Sequence, residues 1–247
     1  MEDRITYIGN AMAKRPIFVP SFSGPSLVTT HFIDFEWFPG MAISQAQKSI
    51  DSLHAAACEE LKIGAVLEIS SKSKLLVGTM LSAFNLMIKT VKYEREFSVE
   101  CAYQASKVFE RGGPFVDLLE KKSIDAKKDP RLNENGRLIM FRFFGVDWEL
   151  EPRTAFYDWL YINALHKHPS LAGEVLQHRA FSDIAFNPER SINCQAYAAA
   201  LYVSLNERGM LSNALLKNQD EYLQAITKMK ISNAHENTVK QGSIPFE

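Results

Sequence analysis

The chain has 247 residues, of which 46% are hydrophobic and 23% charged, which is enough apolar material for a sizeable buried core. Lys plus Arg number 28 against 29 Asp plus Glu, a net charge of −1, so no broadly basic face is available and any nucleic-acid contact must be local. The three cysteines, Cys58, Cys101 and Cys194, are far apart and have no CxxC spacing or histidine partners, which excludes a disulfide framework or a Cys/His zinc site. The opening Met1-Glu2-Asp3-Arg4 has no basic, then apolar, leader pattern, and no apolar run approaches the ~18 residues of a membrane span. A reducing, cytoplasmic setting with no membrane contact is therefore expected.

In chain order, residues 1–15 are polar and unpatterned and read as a flexible leader. Pro16 to Pro20 is a short extended piece bounded by prolines, and Ser23-Gly24-Pro25-Ser26 is a turn. Residues 27–38 alternate and are rich in β-branched and aromatic side chains, as a strand requires. Ser44 is placed to cap a helix over 45–61 with Ile50, Leu53 and Ala57 inward, ended by Gly64. Ala65-Val66-Leu67-Glu68-Ile69 reads as a strand. The Ser70-Ser71-Lys72-Ser73 loop that follows is either an ordinary polar loop or a phosphate cradle of backbone N–H groups and an ammonium.

Ser98 is a natural N-cap, and no Gly or Pro interrupts the run to Phe109, which predicts a helix over 97–109. On that helix Glu100, Gln104 and Lys107 share one face. Such a row is either a solvated stripe with an ion pair or a set of functional groups. Gly112-Gly113-Pro114 breaks the chain and residues 115–121 look helical. Lys121, Lys122, Lys127 and Lys128 cluster as a solvated run or an anion site. The aromatic stretch 138–148 supplies core, with Trp148 read as core on composition. Helices are predicted from Glu151-Pro152 to His166, over 171–178, over 194–205 and over 218–229, with a loop dense in polar groups at 181–193. His166 and His168 read as surface residues, and His54 has no partner one turn on. HExxH, GxSxG and GxGxxG are all absent, which removes most support for metal-hydrolase, triad-hydrolase and dinucleotide-fold chemistry.

The stretch Ser98-Val99-Glu100, followed by Gln104-Ala105-Ser106-Lys107-Val108-Phe109, resembles the signature helix of the NADAR (YbiA-like) family of N-glycosidases acting on ADP-ribose-like and ribosylamino compounds. Cys101 and Ala102 stand where that family has an aromatic pair. Leu81 to Asn85 is similar to the family's Ser-Asn-Phe element, with Ala83 in place of the Asn and Asn85 two positions on. Asp147-Trp148-Glu149 matches its Asn/Asp-Trp-Glu step. In the 181–193 loop Asp183, Asn187 and Asn193 fall near family polar positions, while a Trp-Gly pair is missing. The segment containing Phe35 to Ala42 looks like the extra portion of one branch, the NADAR antitoxins encoded beside a DarT-type toxin.

The resemblance implies an α/β fold, a mainly helical single domain with a small sheet from the 27–38, 65–69 and 91–97 regions. It divides the chain into a leader (1–15), an N-terminal extension packed on the core (16–63), a NADAR-like catalytic domain (64–211) and a C-terminal helix with polar tail (212–247). It implies an antitoxin that hydrolyses the N-glycosidic bond between ADP-ribose and guanine in single-stranded DNA, releasing ADP-ribose, with a DarT-type ADP-ribosyltransferase toxin as partner and no cofactor or metal. Two other outcomes stay open: a metabolic N-glycosidase on ribosylamino phosphates, and a non-catalytic module that binds toxin or ADP-ribose.

Cleavage through an oxocarbenium-like state needs a carboxylate near C1″ and a proton donor to nitrogen. Glu100 is the expected carboxylate, activating water or steadying the cation, with Asp183 or Asp125 as the second carboxyl. Lys107 pairs with Glu100, binds phosphate or attacks the ring-opened ribose as an amine. Lys72, Lys127 and Lys128, with Ser71, are phosphate candidates. Asn85, Gln104, Asn187 and Asn193 are candidates for ribose hydroxyls or the guanine edge, and Trp148 for stacking.

Overall fold

The computed structural model describes residues 11–90 and 94–229. They form an α/β domain in which short sheets and several helices wrap two buried, nearly wholly apolar helices. The ten-residue strands β1 (Ala11–Pro20) and β2 (Val28–Trp37) pair antiparallel along their whole length. Helix α1 (Ile43–Leu61) lies on β2, and Ile50, Leu53 and Ala57 meet Ile17, Ile33 and Phe35 in a core of their own. The inward face of α1 is thus the one its periodicity predicts, although its N-cap is Ala42, which makes no side-chain bond, rather than Ser44. The first strand starts at Ala11, so residues 11–15 belong to a hairpin, because β2 offers a partner along its full length; residues 1–10 lie outside the described part.

The chain continues through β3 (Leu67–Glu68), α2 (Leu76–Met80), β4 (Met87–Lys89), β5 (Glu96–Ser98), α3 (Val99–Ala105) and β6 (Lys107–Phe109). A 3-10 turn (Val116–Glu120) and the short helices α4 (Ser123–Lys127) and α5 (Arg131–Glu134) lead to the hairpin β7 (Leu138–Phe143) and β8 (Val146–Trp148). Then come α6 (Ala155–His166), α7 (Pro169–Leu176), β9 (Phe181–Ser182), α8 (Gln195–Glu207), α9 (Asn213–Lys217) and α10 (Gln219–Thr227). Helices α6 and α8 are buried on nearly all sides, as their continuous apolar sequences require.

The described strands form three sheets rather than one: β2-β1-β9-β3, β4-β5 and β6-β7-β8. In the first, β3 runs parallel to β9 with Leu67 opposite Phe181 and Glu68 opposite Ser182, while Phe18 of β1 meets Phe181 from the other side. The 91–97 region joins β4 through β5, away from the first sheet; its residues 91–93 lie outside the described part. The loop between β1 and β2 is pinned by α8. The guanidinium of Arg208 donates to the carbonyls of Ser21, Ser23, Gly24 and Ser26 at 2.6–3.1 Å, and Ser204 Oγ adds a bond to Ser21 O at 2.6 Å.

Two helical expectations change. The 97–109 run is a helix only to Ala105, with Ser98 Oγ accepting Cys101 N at 3.1 Å as the expected cap. Beyond Ser106 the backbone pairs with β7, and tertiary pairing overrides local propensity. The helix expected at Glu151-Pro152 starts at Ala155, after Thr154 takes a left-handed turn at φ 67. His166 and His168 are half-buried tethers, not free surface residues: one bonds the Tyr202 hydroxyl at 3.2 Å, the other donates to Met87 O at 2.7 Å. Among the described residues no helix is long and apolar enough to cross a membrane.

One buried acid makes the core pH-sensitive. Asp158 on α6 is 3% exposed; Thr154 Oγ1 donates to one oxygen at 2.7 Å and the other has no partner. Burial pushes its carboxyl up to about 8. A raised folded pKa gives stability that is full below the unfolded value of about 4 and is lost as pH rises toward the folded one, at about 1.4 kcal/mol per pH unit. Asp158→Asn is expected to gain stability over wild type between about pH 5 and pH 8, with the gap widening upward. Urea unfolding at the two pH values checks this, and an equal gap at both would refute it.

Candidate active site

A cleft of about 500 Å³ opens where four segments converge: the loop after β3, the 82–84 loop, α3 with the start of β6, and the loop from β9 to α8. Its floor is set by one amide. Gln195, at the start of α8, donates from Nε2 to Ile69 O at 2.6 Å and Asp183 Oδ2 at 3.0 Å, while its Oε1 accepts Ala83 N at 2.7 Å. Three segments distant in sequence are thereby fixed on the first turn of a buried helix.

Glu100 lies in the first turn of α3 and is 6% exposed. Gln104 Nε2 donates to its Oε1 at 2.8 Å, and Lys127 Nζ stands 3.9 Å from the same oxygen. Lys127 reaches in from α4 across the Phe84 ring, 5.1 Å from its centroid. Lys107 approaches from β6 and sits 4.8 Å over the Tyr103 ring. Burial lowers its ammonium to about 8; Glu100 opposes this and Lys127 adds to it. A useful fraction of neutral amine is then present near neutral pH. The Tyr103 hydroxyl accepts Asn193 Nδ2 at 2.6 Å, and burial raises its pKa so that it stays protonated.

Asp183 is another carboxyl lining the cleft. It accepts Ala185 N and Gln195 Nε2, each at 3.0 Å, and burial, then the neighbouring Glu68, push its carboxyl up to about 7. The cleft thus holds Glu100 beside two lysines and, separately, Asp183, a carboxyl able to hold a proton, and such a difference in surroundings is what acid–base chemistry needs.

Of the residues singled out by sequence, Glu100, Lys107, Asp183, Ser71, Gln104, Lys127 and Asn193 line this cleft. Lys72, Asn85, Asp125, Lys128, Asn187 and Trp148 do not. Asn85 Nδ2 is spent on Thr79 O at 2.8 Å, and Asn187 Oδ1 holds the turn at Glu189 N at 3.0 Å. Asp125 and Lys127 flank buried Ala126 on α4, so when one faces the cleft the other faces solvent. Trp148 is 2% exposed and packs between Phe156, Trp159 and Tyr222, leaving it no ligand face. Lys107 shares the cleft with Glu100 across a helix-to-strand junction, not along a helix face.

Gln195, Tyr103, Tyr157, Phe84 and Arg190 also line the cleft and were not anticipated. Tyr103 had a signal, one turn beyond Glu100. Among the described residues no cluster of three or more His, Cys, Asp or Glu could hold a metal ion. The family model described as DarT1-associated NADAR antitoxin matches residues 13–236. No curated protein matches the chain.

Proposed function

Because this chain belongs to the family of DarT1-associated NADAR antitoxins, we propose that it removes ADP-ribose from guanine in single-stranded DNA by hydrolysing the N-glycosidic bond, so undoing the modification made by a DarT-type toxin. The observation that carries the proposal is Glu100, a buried carboxylate lining a sugar-sized cleft with Lys107 and Lys127 beside it. The two ammonium groups suit a diphosphate, and the carboxylate suits C1″ of the ribose.

The reaction then runs as follows. Asp183 gives its proton to the exocyclic guanine nitrogen as the C1″–N bond breaks, which turns a poor leaving group into a neutral amine. Glu100 steadies the positive charge on the ribose and takes a proton from the water that attacks C1″. The products are free ADP-ribose and unmodified guanine, and the proton on Glu100 returns to Asp183 through solvent. In this reading Asn193, which lines the cleft and donates to the Tyr103 hydroxyl, takes a ribose hydroxyl. Lys107 binds phosphate as the ammonium, or as the amine adds to C1″ of the ring-opened ribose, expelling the guanine amine and forming a Schiff base that water hydrolyses to ADP-ribose and free lysine; its pKa of about 8 supplies both forms.

The test is a single-stranded oligonucleotide ADP-ribosylated on one guanine, assayed beside ADP-ribosylguanosine and a ribosylamino phosphate. Release of ADP-ribose and unmodified oligonucleotide is expected. Turnover of the ribosylamino phosphate alone would replace the proposal with metabolic N-glycosidase activity. Neutralisation of the toxin in cells without release from any substrate would replace it with a binding module.

A further inference from the structure

One buried acid next to the cleft is unused by this chemistry. Glu68 is an acidic residue in the apolar run Ala65 to Ile69 and is 3% exposed. The parallel pairing of β3 with β9 sets it opposite Ser182, beside Asp183. Among the described residues neither carboxyl forms an ion pair within 4.0 Å. Burial raises both carboxyls, and Glu68 raises Asp183 further, so ionising both is disfavoured and the pair holds at least one proton.

The hydrogen bonds decide where that proton sits. Glu68 accepts three donors at close range: Ser70 Oγ at 2.6 Å and Ile184 N at 2.9 Å on Oε1, and Ser182 Oγ at 2.5 Å on Oε2. His54 on α1 meets Ser182 Oγ through Nε2 at 2.8 Å; with Glu68 as the anion, Ser182 donates to Glu68 and His54 donates to Ser182. Asp183 receives Ala185 N and Gln195 Nε2, both at 3.0 Å. Shorter and more numerous donors stabilise an anion more.

We propose that Glu68 is the positioning residue for Asp183: it keeps the negative charge of the pair and thereby keeps the proton on Asp183, the acid that faces the cleft. The role of Asp183 as acid rests on the function proposed above; the shared proton does not. Other titratable groups surround Asp183. Tyr157 and Tyr161 on α6 and Cys194 before α8 are raised by burial and neutral. His54 is lowered by burial to about 4 and is neutral. Arg15 on β1 is the cation among them, and Glu189 attracts it more strongly than Asp183 does. Of the charged groups that line the same cleft, Glu100 acts on Asp183 in the same sense as Glu68, and Lys107, Lys127 and Arg190 in the opposite sense.

The experiment is a pH titration by NMR of protein carrying ¹³C-carboxyl Asp and Glu, in wild type and Glu68→Gln, with Asp183→Asn to assign the signal, alongside kcat against pH on the modified oligonucleotide. In wild type, Glu68 is expected ionised and Asp183 protonated at about pH 5.5. In Glu68→Gln the Asp183 midpoint and the alkaline limb of kcat both move down by about one pH unit, a tenfold change in the protonation equilibrium. A Glu68 signal that is protonated while Asp183 is ionised, or an Asp183 midpoint that the substitution leaves in place, overturns the proposal. The wild-type titration decides it even if the variant does not fold. An inactive wild type with the expected carboxyl titration removes the proposed function and leaves the pair standing.

Discussion

Glu100→Gln is expected to lose about 10³-fold in the rate of ADP-ribose release while melting within a few degrees of wild type. The substitution keeps size and shape in a buried position. Gln104 Nε2 can still donate to the remaining carbonyl oxygen, so α3 retains its internal bond. Lys127 loses an ionic partner, but its side chain is largely exposed and the pair contributes little to folding. What disappears is the negative charge that would meet the ribose cation and the base that would take a proton from water. Single-turnover assays on ADP-ribosylated single-stranded DNA, paired with thermal melts, separate chemistry from stability. Undiminished turnover would remove Glu100 from the mechanism.

The second large effect is structural. A Cβ built on Gly78 of α2 would stand 2.1 Å from the Glu68 carbonyl oxygen and 2.3 Å from Ser73 Oγ. Ser73 can rotate away; a backbone carbonyl in a paired strand cannot. Gly78→Ala is therefore expected to cost about 3 kcal/mol, a fall in Tm of roughly 6–12 °C for a chain of this size. It also displaces the loop carrying Ser70 and Ser71 into the cleft, so activity falls further than folded fraction. Gly173→Ala is the matched control: nothing lies within 4 Å of its added Cβ, and the helical site α7 favours alanine by about 1 kcal/mol. Equal melting of the two variants would show that α2 does not press on β3.

The elements read most directly from sequence are those whose signals are local. The inward face of α1, the alternation of β2, the Ala-rich α8 and the cap at Ser98 all follow from spacing and side-chain chemistry within a few residues. The elements that escape are fixed by distant partners. β9 spans two residues and exists because β1 and β3 flank it; nothing in Phe181-Ser182 alone says strand. Lys107 lacks a Gly or Pro to announce that α3 has ended, and only the β7 backbone opposite tells it to extend.

The cleft divides the same way. Glu100 and Gln104 stand one turn apart and could be paired by counting, whereas Gln195 joins Ile69, Ala83 and Asp183 across more than a hundred residues for two of its three bonds. Trp148 lies in a step that resembles a ligand-facing one, but the aromatic packing of Phe156, Trp159 and Tyr222 claims all of its surface. Glu68 carried a signal in plain sight: one acid in a run of apolar strand residues must find partners or keep its proton.

The contact of β1 with β9, and that of His54 with Ser182, bear on anyone who would trim this molecule to a minimal fragment. Cutting away the opening hairpin and its helix strips the shielding from a short, apolar sheet margin and unmoors the hydroxyl that steadies the interior anion. Such a shortened version invites edge-to-edge clumping and works on a different pH schedule from the intact chain.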